Sequence, residues 1–95
     1  MQDAVRDLVK LGPLPSIVSP DVKVLENIQE ALSRLEKPVS DEDARALVGL
    51  FGPDDCFGLA WSLLHAIETA PGWPLKDVLD AGNGEWISRL KQRAE

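Results

Sequence analysis

Residues 51–74, FGPDDCFGLAWSLLHAIETAPGWP, hold most of the side chains that could do chemistry: the one cysteine, the one histidine, two of the three tryptophans and the pair Asp54-Asp55. A Cys-His nucleophilic pair needs both groups within hydrogen-bond reach. Cys56 and His65 stand nine residues apart. On one helix that is a net half turn and a rise of about 13 Å, so they do not meet. Cys56 falls in the first turn of the expected helix, where the helix dipole favours a thiolate but Asp54 and Asp55 oppose it. It reads as a small core hydrophobe.

Metal chemistry finds little support in the spacing. His65 and Glu68 are i, i+3, which can give two ligands on one face, and a complete site needs more. Asp41-Glu42-Asp43 reads as the acidic first turn of a helix, not as a calcium loop with alternating ligands and a glycine turn. Gly82-Asn83-Gly84 is too short for a phosphate loop and follows no strand. No serine sits in a nucleophile elbow. The expectation is a protein that is not an enzyme and holds no metal or cofactor.

The elements that must position these residues are helical. Residues 2–11 form a short helix with Val5, Leu8 and Val9 on one side. The segment GPLPSIVSP is too rich in proline for a helix. With Leu14, Ile17 and Val18 it is also too apolar for a free linker, so it is expected to lie across the bundle. Ser19-Pro20-Asp21 starts a helix running to about Glu36. Its Leu25, Ile28, Leu32 and Leu35 repeat as one apolar stripe. Ser40 caps the next, in a near capping box with Asp43, and Ala44, Leu47, Val48 and Phe51 face inward. Gly52-Pro53 separates it from a helix over 54–70. Pro71-Gly72-Trp73-Pro74 is a rigid turn. A short helix over 75–81 follows, then a last helix that Asn83 caps, with Trp86, Ile87 and Leu90 inward. Period-two alternation is absent. The expected fold is all-α: one domain over 1–95, a compact bundle of five to six short helices around the central apolar helix 54–70.

That central helix is apolar nearly all round, with Phe57, Leu59, Ala60, Trp61, Leu63, Leu64, Ala66 and Ile67. One narrow polar strip remains: Asp55, Gly58, Ser62, His65 and Thr69 share an arc of roughly 80°, bordered by Trp61 and Glu68. Three readings of the strip stay open. It is the solvent edge of a buried helix, a close-packing seam for another helix, or part of a functional surface.

Charge narrows the partners. The net charge is -6, which argues against nucleic acid and against anionic lipid, and suits a protein with a basic surface. Residues 38–75 hold six acids and one base. The last eleven residues run the other way, with Arg89, Lys91 and Arg93 against Glu85 and Glu95. No apolar run is long enough to span a bilayer. The N-terminal MQDAVRDLVK is unlike a secretory signal. One cysteine requires no oxidising compartment, so the expected location is cytoplasmic.

The run LFGPDDCFGLAWSLLHAIETAPGWP, about a quarter of the chain, resembles small stand-alone helical proteins of bacteria, among them the immunity proteins that neutralise toxins. The resemblance implies a protein-binding role against a basic toxin domain, by occlusion of its active site. No residue roles are carried over from it. Read from the residues themselves, Asp41, Glu42, Asp43, Asp54 and Asp55 would steer and pair with a basic partner, with Trp61 or Trp73 as anchor and His65 and Glu68 beside them. Two alternatives stand alongside. One is a helical adaptor or homo-oligomer, using the apolar Leu14–Val18 crossing. The other is a ligand or catalytic pocket around His65, Trp61 and Glu68.

Overall fold

A computed structural model describes residues 1–18, 21–52, 54–82 and 84–94. Six α-helices follow in order among them: α1 (Asp3–Leu11), α2 (Val22–Ser33), α3 (Asp41–Val48), α4 (Leu59–Glu68), α5 (Lys76–Ala81) and α6 (Glu85–Arg93), with no strand. The expected roles of Ser19, Pro20, Pro53 and Asn83 lie outside the described residues.

The all-α expectation holds, and the periodicity explains why. α2 turns Ile28 and Ala31 into the core, with Val24, Leu25 and Leu32 packed against it. Val5 and Leu8 of α1 are buried, while Val9 points outward, contrary to its expected inward place. It lies one residue on from Leu8, about 100° round the helix. α1 packs on α2 and α3, α4 on α3 and α2, and α5 on α6. All six helices feed one core, with Leu63, Leu64, Ala66 and Ile67 of α4 at its centre. Each of the leucine and isoleucine side chains contributes about 1.5–3 kcal/mol by leaving water.

The capping box at α3 is present as the sequence suggests. Ser40 Oγ accepts from the Asp43 amide and the Asp43 carboxylate accepts from the Ser40 amide. Asp43 is also buried, and Gln2 donates to it through both its backbone N–H and its Nε2. The acid expected to face a partner therefore ties α1 to α3. Burial alone would raise its pKa. The donors from Gln2 and Ser40 together outweigh that and hold it below the usual carboxylate range.

The central helix is shorter than the sequence predicts. Asp54 and Asp55 are not its first turn. Cys56–Gly58 form a 3₁₀ turn, and Cys56, Phe57 and Gly58 all take left-handed backbone angles, with φ of 47°, 56° and 88°. α4 starts only at Leu59, and its N-terminal flank at Gly58 carries no side-chain cap. A helical projection across 54–70 therefore does not describe the separation of Cys56 from His65. Burial distinguishes them instead: Cys56 is in the core and His65 is on the surface.

Candidate functional site: an apolar end with an acidic rim

Asp54 organises the start of the site. Its Oδ2 accepts from Ser16 Oγ and the Ile17 amide, each at 3.0 Å, and its Oδ1 accepts from the Cys56 amide at 3.0 Å. Ser16 Oγ accepts in turn from the Val18 amide. The Ile17 amide, more than any other donor, holds the Asp54 carboxyl below the usual range; the Cys56 amide and Ser16 hydroxyl add to it against a smaller opposing effect of desolvation. One carboxylate thus binds the proline-rich crossing to the turn before α4. Leu14, at the start of that crossing, is buried and donates its N–H to the Leu50 carbonyl. The crossing lies across the bundle, as its composition predicts.

The far end of the crossing does something else. Ile17 is exposed, and Val18 is 87% exposed; Val22, four residues on, is 66% exposed. Across the Asp54 bridge, Phe57 is 62% exposed and Trp61 37%. Seven large hydrophobic side chains are exposed among the described residues, and these five fall in two short segments that Asp54 joins. Scattered exposed hydrophobics need no explanation, but a concentration at one place marks an interaction surface. Asp21, Asp54 and Asp55 lie in the same segments, with Lys23 the base among them.

Phe57 carries the strongest local signal. A left-handed backbone costs a residue other than glycine about 1–2 kcal/mol. Three such residues occur among those described: Cys56, Phe57 and Leu75. Cys56 and Leu75 have buried side chains, so core packing offsets their strain. Phe57 has no comparable return, since most of its ring faces water. Strain held without a packing reason points to function. From the sequence, Phe57 is expected in the core of a continuous helix; the turn at 56–58 rotates it outward.

Beside Phe57, the helical strip faces solvent. Ser62 and His65 are exposed, and Thr69 closes the C-terminal end, where its Oγ1 accepts from the Val39 amide and donates to the Ala66 carbonyl. Of the three readings of this strip, a close-packing seam for another helix of this chain does not fit, since Ser62 and His65 are exposed. Trp61 packs edge-on to Trp86 of α6 at 5.1 Å between ring centroids, and the Arg89 guanidinium lies over both rings. Glu68 accepts from Arg93 at 2.6 Å and stands 3.6 Å from His65 Nδ1. The basic C-terminal run therefore meets acids within the same chain, Glu68 for Arg93 and Glu85 for Arg89.

The predicted contact residues do not form one patch. Asp41 Oδ1 accepts from the Gly72 amide at 2.7 Å, which places Asp41, Glu42 and Asp43 near the turn that carries Trp73, beyond the C-terminal end of α4. Asp54 and Asp55 precede its N-terminal end. The ten residues of α4 separate the two groups, about 15 Å at 1.5 Å per residue. Trp61, His65 and Glu68 lie along the helix between. Trp73 is half-buried against the core. Among the acids, Asp41, Asp43 and Asp54 are engaged in internal hydrogen bonds, while Glu42 and Asp55 are exposed. Phe57 and Val22 are not among the contacts expected from sequence, and Ile17 and Val18 enter there only within the Leu14–Val18 crossing of the adaptor or homo-oligomer alternative. Gly58 immediately after Phe57 was the one available sign of a left-handed turn there.

Chemical groups are sparse at this surface. Cys56 is buried and its thiol is pushed up, by desolvation first and then by Asp54 and Asp55. Among the described residues no three of His, Cys, Asp and Glu come together as a metal site would require. No helix among them is long and apolar enough to cross a membrane.

Among the described residues the fold thus defines a small α protein of six helices with an apolar end that carries acidic residues. Compared with protein-family models, with curated proteins and with solved structures, the chain matches none.

Proposed function

We propose that this protein is a protein-binding module that docks through its apolar end, with Phe57 and Trp61 as anchors and Asp21 and Asp55 pairing with lysine or arginine on the partner. The observation that carries the reading is Phe57: a strained backbone presents an aromatic ring to water, three residues from the Asp54 carboxylate that holds the exposed Ile17 by its amide. Aromatic anchors at the centre of an interface supply most of its energy, and the charged rim sets encounter rate and partner choice. The net charge of -6 favours a basic partner. An immunity protein that occludes the active site of a basic toxin domain is the form of this reading that the charge suits best.

The test is a photo-crosslinking phenylalanine analogue at position 57, expressed in the native host. One basic-surfaced protein should be cross-linked, and Val18→Ser should abolish that product. The immunity form further requires that the captured protein be lethal alone, and that the wild-type chain, but not Phe57→Gly, protect cells from it. Equal cross-linking from the remote exposed position of Val9 would sink the docking reading.

A further inference from the structure

Resting on that docking reading for its use, we propose that residues 54–60 form a two-state latch that presents or withdraws Phe57. In the latched state, the observed one, the Asp54 carboxylate holds the crossing and Phe57 faces water. In the unlatched state the crossing lifts, Cys56–Gly58 wind on to α4, and Phe57 turns toward the core.

The second state is already half built. Asp55 has helical angles, φ of -76° and ψ of -7°. Asp54 Oδ1 accepts from the Cys56 amide, two residues on, which is the bond of a helix N-cap. The backbone pairing of the turn is crossed. The Ala60 amide donates to the Asp55 carbonyl, five residues back, and the Leu59 amide to the Cys56 carbonyl, three back. Exchange of those two acceptors pairs Leu59 with Asp55 and Ala60 with Cys56, each four back, as an α-helix has them. Cys56, Phe57 and Gly58 must leave the left-handed region, and the first two are strained there. Continued at about 100° per residue, the helix points Cys56 within about 20° of Leu63 and Phe57 within about 20° of Leu64. Both leucines are buried, so winding keeps Cys56 in the core and takes Phe57 out of water.

The contacts that oppose winding come from elsewhere in the chain. Asp54 Oδ2 accepts from Ser16 Oγ and the Ile17 amide. Trp86 Nε1–H donates to the Asp54 carbonyl at 3.2 Å, the acceptor that the Gly58 amide uses in a continued helix. Gly58 donates instead to the Asp55 carbonyl at 3.0 Å. The state of the turn therefore follows whether the crossing is seated. The exposed Ile17 and Val18 come directly after Ser16. A partner that covers them keeps the crossing down and Phe57 presented, so docking on one segment prepares the other.

Asp54→Ser separates the two roles of the carboxylate. One hydroxyl caps a helix as well as aspartate does, but it has no second oxygen for the crossing. In the labelled full chain, strong intraresidue NOEs between amide and Hα, the mark of positive φ, should be present at Cys56 and Phe57 in wild type. In Asp54→Ser they should give way to the sequential amide–amide NOEs of a helix. Gly58→Ala should lower the urea midpoint of the otherwise wild-type chain and raise it in Asp54→Ser. If Asp54→Ser is too unstable to measure, Ser16→Ala gives a milder background, in which Gly58→Ala should cost less than in wild type. Positive φ persisting in Asp54→Ser, or a turn that unravels without helical NOEs, overturns the latch. So does a Gly58→Ala loss that is the same in every background. Cross-linking from position 57 tests the docking reading separately. A cross-linked partner with no change in the Gly58→Ala effect removes the latch and leaves docking. A reversed effect with no cross-linked partner leaves the latch and removes docking.

Discussion

Gly58→Ala separates the observed turn from the continuous helix that the sequence suggests, by the sign of its effect. Inside a helix, alanine is about 1 kcal/mol more favourable than glycine. Here Gly58 has φ of 88°, and a Cβ built on it would meet nothing within 4 Å. The substitution therefore changes no packing and reads the backbone alone. Holding alanine left-handed costs about 1–2 kcal/mol. Against this, alanine restricts the unfolded chain and returns about 0.4–1 kcal/mol. The net expectation is a loss of about 1 kcal/mol, a fall in Tm of roughly 4–8 °C for a domain of this size. The two backbones thus differ by about 2 kcal/mol with opposite sign. Urea unfolding followed by tryptophan fluorescence should show a lower midpoint and an unchanged slope. A rise in stability would refute the left-handed turn and the outward placement of Phe57 that depends on it. Phe57→Gly provides the companion measurement. Relief of about 1–2 kcal/mol of strain offsets a partial burial worth about a third of the 1.5–3 kcal/mol for a fully buried phenylalanine, together with the greater entropy of glycine in the unfolded chain. Its stability should stay within about 1 kcal/mol of wild type.

Asp43 is held below the usual carboxylate range in the fold. Its stabilisation is complete above its unfolded pKa, near 3.9, and is lost as pH falls through the lower folded value. Asp43→Asn should flatten that acid limb in pH-dependent unfolding and cost about 1.5–3 kcal/mol at neutral pH, the range for a charge-assisted hydrogen bond. Gly52→Ala should lose about 1–3 kcal/mol by chemical denaturation, because its methyl would overlap the backbone carbonyl of Leu14. Asp54→Ala should speed amide exchange at Ile17, which loses its acceptor, while exchange at Leu14, bonded to Leu50, stays slow. The Cys56 thiol, buried and shifted upward, should resist a disulfide reagent in native buffer and react once the chain is unfolded in urea.

Helices were legible where periodicity and capping agreed. The α3 boundary followed from Ser40 and Asp43, whose reciprocal hydrogen bonds are local and need no tertiary contact. The apolar stripe of α2 was legible for the same reason. The start of α4 was not, because DDCF carries no local stop. The turn there is fixed by partners far along the chain: Ser16 and Ile17 on the Asp54 carboxylate, and Trp86 on its carbonyl. Those same long-range bonds turn Asp54 from an expected contact into a strut and Phe57 from an expected core residue into a surface one. Burial of Asp43 was equally hidden, since it depends on Gln2, 41 residues away. Composition could say that the protein is acidic, but not which carboxylates the fold keeps for itself.

The stack of Phe51, Trp86, Trp61 and Arg89 gives the molecule a built-in optical readout. The chain has three tryptophans and no tyrosine, so its ultraviolet emission comes from indole alone. Trp86 is buried with its N–H bonded, whereas Trp61 is partly wet beneath a cation. A partner that settles on Trp61 at the apolar end should alter both chromophores, which share an edge-to-face contact and one guanidinium. Occupancy can therefore be followed in unlabelled protein by the colour and intensity of its own light.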